Sequence, residues 1–186
     1  MLQWANTFCP RVNFILKADD DAYLDLPALV SFLEAKRTSR DNHTQLNGRF
    51  LLGKIIQGKV SDRERRSSNF TGASAFAPSN LPSYLSGAAY VVPRIVVRPM
   101  LDKAVDIPSL SFEDVFITGI VAAALKLKLI HSNCFDCCDE LPDSCAYRGL
   151  LAATVSNPSS LRSVWKQVRG LESPHCLPGN DTTETC

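Results

Sequence analysis

Val12-Asn-Phe-Ile-Leu-Lys-Ala-Asp19-Asp20-Asp21 is the stretch on which the reading of the fold turns. Its first five residues form a short apolar, β-rich run that stops abruptly at three acids, the pattern of a buried strand delivering carboxylates to a loop. Three adjacent carboxylates repel one another, so a strand end that carries them needs compensation. Open α/β sheets place ligands at the carboxyl ends of their strands, and hard oxygen donors there suit Mg2+ or Mn2+ holding a substrate diphosphate. A solvated acidic turn is the structural alternative, and composition does not separate the two.

Strand and helix patterns alternate outward from this stretch. Asp25-Leu-Pro27 starts a helix with Pro in the first turn, and Leu26, Leu29, Val30 and Leu33 recur at helical spacing. Thr38 to Asn47 is polar and turn-rich, Phe50 to Ile56 reads as a strand, and Ser61 to Pro82 is mostly loop. Tyr84 to Val92 is a strand of small and β-branched residues, with a helix from Pro93 through Ala104. Ser111-Phe-Glu-Asp114 opens an apolar helix to about Leu125, Leu127 to His131 is a strand, and Pro158 to Gly170 is an amphipathic helix. The alternation predicts an α/β domain over residues 1–172, with a flexible tail over 173–186.

Composition excludes several function classes. With 20 Lys+Arg against 19 Asp+Glu in 186 residues, there is no basic footprint for nucleic acid, and 45% hydrophobic residues argue against disorder. The apolar run Val115 to Leu125 is about half of the roughly 20 residues that a membrane span requires. The N-terminus lacks the charged and apolar regions of a signal peptide. Three Asn-x-Thr triplets, at Asn42, Asn69 and Asn180, lean weakly toward a secretory lumen, since chance alone would supply about 1.3.

The seven cysteines are an odd number, so one stays unpaired within the chain. Cys134 to Cys145, flanked by His131 and His175, could be drawn as a zinc site, but it lacks a second well-spaced ligand pair. Local disulfides are the favoured reading.

Glu113-Asp114 is the second acid set. A capping box with Ser111 at the N-cap and Asp114 three residues on explains it structurally, while a helix start that opens on a cleft could also aim a carboxylate at a proton. Arg63-Glu-Arg65-Arg66 reads as a solvated loop face, and Trp165 at helical spacing reads as core.

Taken in order, Phe14-Ile-Leu-Lys-Ala-Asp-Asp-Asp-Ala-Tyr23, Leu81-Pro-Ser-Tyr-Leu-Ser-Gly-Ala-Ala-Tyr-Val-Val92 and Phe112-Glu-Asp-Val-Phe-Ile-Thr-Gly119 resemble the β-1,3-galactosyltransferase family. That family includes β-1,3-N-acetylglucosaminyltransferases. The resemblance implies a glycosyltransferase-A-like mixed sheet flanked by helices, in a chain that lacks part of the N-terminal nucleotide-binding half. It implies that Asp19 and Asp21 are the outer acids of a DxD motif holding Mn2+ against a UDP-sugar, with Asp20 between them on the donor side. Ser86 and Gly87 belong to a small-residue strand that lines the donor. Alanines at 88 and 89 stand where the family has glycines, which bears on how closely the backbone can approach. Asp114 is the implied general base, with Glu113 beside it.

The implied reaction is an inverting transfer of galactose or an N-acetylhexosamine to the 3-hydroxyl of a glycan on protein, lipid or proteoglycan, in the Golgi. A retaining route would need a nucleophile, and none stands out. A membrane anchor is expected in a full-length form, and a silent fragment that only binds is the alternative from another class. A metal-dependent phosphohydrolase lacks a nucleophile or His cluster to support it. The family often has a His shortly before its last helix; Ala152 to Ser156 has none, and although His131 is the nearest alternative, a solvated or core histidine is the favoured reading of it.

Overall fold

The computed structural model describes residues 1–38, 48–57, 81–136, 144–155 and 157–168. Most of the predicted loops, the Arg63-Glu-Arg65-Arg66 run, the three Asn-x-Thr triplets, His175 and the tail lie outside these residues.

The chain begins with helix α1 (Leu2–Phe8), strand β1 (Phe14–Ala18), the short β2 (Ala22–Leu24) and helix α2 (Leu26–Thr38). Then come β3 (Phe50–Ile56), β4 (Tyr84–Pro93) and α3 (Arg94–Ala104). A π-helix (Val115–Val121) runs directly into a single α-helical turn, α4 (Ala122–Ala124). Strand β5 (Lys128–His131), a 3-10 turn (Ser144–Tyr147), β6 (Ala152–Thr154) and α5 (Pro158–Val168) complete it.

Four strands form a mixed sheet in the order β1-β4-β3-β5, antiparallel except for the parallel β3/β5 pair. Strands β2 and β6 pair separately and antiparallel. Side chains alternate across β4 and feed two cores. Tyr90 and Val92 pack with Val96, Val97 and Met100 of α3 on one face. Ala89 and Val91 pack with Leu29 and Leu33 of α2 on the other. The predicted α/β class holds, as a mixed sheet with helices on both faces.

Several local expectations need correction. β1 is only half-buried along its whole length, because it is the outermost described strand of its sheet. Of the apolar stripe on α2, Leu29 and Leu33 are buried but Leu26 and Val30 are more than half exposed, since the helix rests on the sheet through a narrow face. Trp165 is 48% exposed rather than core, because α5 packs against Tyr23 and Tyr147 through Val164, with Leu161 and Val168 beside it. Asp25 caps α2 as expected of a helix start, its carboxylate accepting the Ala28 N–H at 3.1 Å.

The sheet has one large irregularity. Gly53 and Ile55 on β3 face Tyr90 and Leu85 on β4, so two steps along β3 correspond to five along β4. The three extra residues bow Ser86-Gly87-Ala88 out of the ladder. Small side chains permit this, and the Ser86 hydroxyl accepts the Ala88 N–H at 3.3 Å.

Candidate active site

The acids of the first set leave β1 in a tight turn. Asp19 continues the β1/β4 ladder through its N–H, which donates to the Ala88 carbonyl at 3.0 Å, and its own carbonyl accepts the Ala22 N–H at 3.3 Å. Asp20 and Asp21 are therefore the exposed centre of a four-residue turn. Asp21 is tied from behind, its carbonyl accepting the Val155 N–H at 2.9 Å. Thus β6, where the resemblance seeks a His, does run beside the acidic turn, but it brings the buried Ala152, Ala153 and Val155.

The second set reaches the same place from the other side of β4. Asp114 accepts the Gly87 N–H at 3.1 Å through one oxygen and the Val115 N–H at 2.8 Å through the other. This replaces the capping box expected from Ser111. The strand bulge supplies a nearer donor, and the carboxylate bridges helix to strand instead of serving the helix alone. A Cβ on Gly87 would lie 3.2 Å from Asp114 Oδ2, so a side chain here would need the carboxylate to give by a few tenths of an ångström. The two alanines that depart from the family pattern meet no such demand: Ala88 lends its carbonyl to Asp19, and Ala89 is buried in the second core.

Thr118, fully buried, completes the junction. Its hydroxyl donates to the Asp114 carbonyl at 2.6 Å and accepts the Leu85 N–H at 2.8 Å. The π-winding from Val115 to Val121 places Thr118 and Gly119 against β4, a helix form that recurs at functional sites.

Lys17 and Tyr90 join the two sets. The Lys17 ammonium donates to the Asp19 carboxylate and to the Gly87 carbonyl, lies 3.7 Å from Glu113 Oε2 and sits 5.9 Å from the centre of the Tyr90 ring. Tyr90 is buried, and its hydroxyl donates to Glu113 Oε1. Burial first, then the hydrogen bond to Glu113 and the nearby acids, push the Tyr90 phenol far above its ordinary value, so it remains a donor. Burial, followed by the charge of Asp114, also raises Tyr84. Of the three adjacent acids, the strand lysine meets Asp19, while Asp20 and Asp21 are exposed to solvent.

Neither Lys17, Tyr90 nor Thr118 was singled out as a site residue from the sequence. The only signal for Lys17 was its place two residues before the acids. Asp19, Gly87, Glu113 and Asp114 meet; Asp20 and Asp21 lie on the open side of the turn; the Ser86 hydroxyl serves the bulge. His131 lies at the opposite edge of the sheet, where Nδ1 accepts the Ile55 N–H at 3.1 Å and Nε2 is 2.9 Å from Asn133 Oδ1. Among the described residues, Cys134 is disulfide-bonded and Cys9 is a free thiol; Cys137, Cys138, Cys176 and Cys186 lie outside them.

Acids at a strand turn, a small-residue bulge and an acidic helix start thus come together in one mixed α/β sheet. Residues 1–133 match the sequence model of a family described as galactosyltransferase, and the chain belongs to that family. Its relatives include human beta-1,3-galactosyltransferase 9, 27% identical over 90% of this chain and 44% of the relative. Human N-acetyllactosaminide beta-1,3-N-acetylglucosaminyltransferase 4 is 28% identical over 95% of this chain and 46% of its own length. Rat beta-1,3-galactosyltransferase 4 is 30% identical over 95% and 53%. The chain spans about half the length of the curated relatives it matches. Among the described residues, no helix is long and apolar enough to cross a membrane.

Proposed function

We propose that this chain carries the metal- and acceptor-side machinery of a β-1,3-hexosyltransferase, acting in the Golgi lumen on a UDP-sugar and a glycan of protein, lipid or proteoglycan. The observation that supports this best is the convergence of Asp19, Gly87, Glu113 and Asp114 around Lys17 and Tyr90. The relatives' names supply the linkage and the choice between galactose and N-acetylglucosamine as donor sugar.

The donor set fits a hard divalent cation. Among the described residues no three His, Cys, Asp or Glu side chains form a closed cage. Mg2+-like ions, however, are commonly held by one or two carboxylates together with substrate phosphates. Asp19 and Asp21 on an exposed turn match that requirement. Mn2+ bound there would neutralise charge on a departing diphosphate.

The residues themselves do the remaining work. Asp114, aimed by two N–H donors, accepts the proton of the acceptor 3-hydroxyl as that oxygen bonds to the anomeric carbon and the bond to UDP breaks. Inversion follows from this single displacement. Tyr90 and Lys17 hold Glu113 at the edge of the same space, where it can orient the acceptor.

Calorimetric titration with UDP and Mn2+ tests the reading. Metal-dependent UDP binding that is lost in Asp21→Ala is the expected result. Absence of such binding overturns the transferase reading in favour of a chain that acts only by binding other partners.

A further inference from the structure

The groove between β2 and α5 plays no part in the chemistry above. It encloses about 490 Å³ and is lined by Ala22 and Leu24 on one side and by Leu161, Arg162, Trp165 and Lys166 on the other. That volume lies within the range of small-molecule sites. Ala22 directly follows Asp21 and closes the acidic turn by its hydrogen bond to Asp19, so the groove opens where the acids end.

Two features define what the groove would take. Trp165 keeps 48% of its surface in solvent beside apolar walls, which gives a flat platform for the C–H face of a pyranose ring. Among the described residues its charged lining side chains are Arg162 and Lys166, whereas the adjoining turn is entirely acidic. An anionic group is drawn to the Arg162 end and repelled from the Asp20 end. A guanidinium can grip a carboxylate with two parallel hydrogen bonds.

We infer that this groove is an acceptor subsite for a saccharide whose distal sugar carries a carboxylate, stacked on Trp165 and oriented by Arg162. The inference rests on the proposed transferase reading, because it takes the reacting hydroxyl to lie at the acids and the next sugar to lie beyond Ala22.

Galactosyl-β-1,4-glucuronic acid, whose galactose keeps its 3-hydroxyl free, and the matched neutral disaccharide galactosyl-β-1,4-glucose serve as probes, titrated calorimetrically into the whole chain without donor. The acidic disaccharide is expected to bind about fivefold tighter, the upper worth of an exposed ion pair. Arg162→Glu, at an exposed position, should abolish that preference and leave the neutral affinity unchanged. Trp165→Ala should weaken both probes about tenfold or more. Equal affinities in the native chain, a preference that survives Arg162→Glu, indifference to Trp165→Ala, or no saccharide binding overturns the inference. UDP binding with Mn2+ is measured in parallel. If it is intact while the saccharide preference is absent, the groove assignment fails alone; if it is absent, the transferase reading fails.

Discussion

The two acid sets of the site are built in opposite ways. Asp20 and Asp21 ride an exposed turn that is fixed through its backbone, by Ala22 and Val155, which leaves the carboxylates to water. Glu113 and Asp114 are fixed through their carboxylates, by Tyr90 in one case and by Gly87 and Val115 in the other. Of the two acids proposed to receive a cation, Asp21 is left to water, whereas Asp19 is already paired with Lys17, which an incoming cation would have to share or displace. An acid that must take a proton from one hydroxyl gains from being aimed in advance. Lys17, touching Asp19 and Glu113 alike, is where the two designs meet.

The sharpest way to break this contrast is Asp114→Asn, which keeps the shape of the side chain and removes its basicity. Turnover should fall about 10²- to 10⁴-fold, far more than the stability cost of about 1–3 kcal/mol expected because the amide NH2 must face one of the two N–H donors. A loss under tenfold would show that the aimed carboxylate is not the base. Asp19→Asn attacks the other set. UDP affinity in the presence of Mn2+ should weaken at least about tenfold, with UDP affinity in chelator unchanged. A drop that is equal with and without metal would move Asp19 out of the metal role.

Gly87→Ala tests the bulge that aims Asp114. The new methyl would crowd Oδ2 of Asp114 at 3.2 Å. Urea unfolding should show a cost of about 1–3 kcal/mol, the usual range for overpacking, and turnover should fall with it. Unchanged stability would mean that the helix start yields freely.

The smallest effect belongs to Tyr90→Phe and concerns alkaline pH. The folded phenol holds its proton beyond the ordinary value of 10, where the unfolded chain releases it. The folded state therefore binds more protons above that value, and stability falls as pH rises, by about 1.4 kcal/mol per pH unit for this group. Below it both states are protonated and the group adds no pH dependence. The variant should lose this part of the alkaline decline. An identical alkaline slope in both proteins would contradict a phenol locked onto Glu113.

Much of this was legible in residue order. The strand Phe50–Ile56 has the predicted bounds, and the succession Tyr84–Pro93 then Arg94–Ala104 follows from small and β-branched residues that stop at a proline. The three motif blocks were enough to mark Asp19, Gly87 and Asp114 as one site. Lys17, Tyr90 and Thr118 were not legible as site residues, because a lysine in a strand, a tyrosine in an apolar run and a threonine in a helix each have ordinary structural uses. Burial patterns also misled at Leu26, Val30 and Trp165, since periodicity indicates a face but not how much of it a neighbour covers.

Residue order alone, then, determined the alternation of strands and helices, the acids at the end of β1 and the small residues of β4, all of which depend on near neighbours in the chain. Only the tertiary structure decided that three extra residues of β4 bow outward to meet Asp114, and that one lysine stands between Asp19 and Glu113, far apart in the chain. It also decided that Trp165 faces a groove rather than a core. Those outcomes depend on which strands become neighbours and in what register, and register is settled by packing two cores at once.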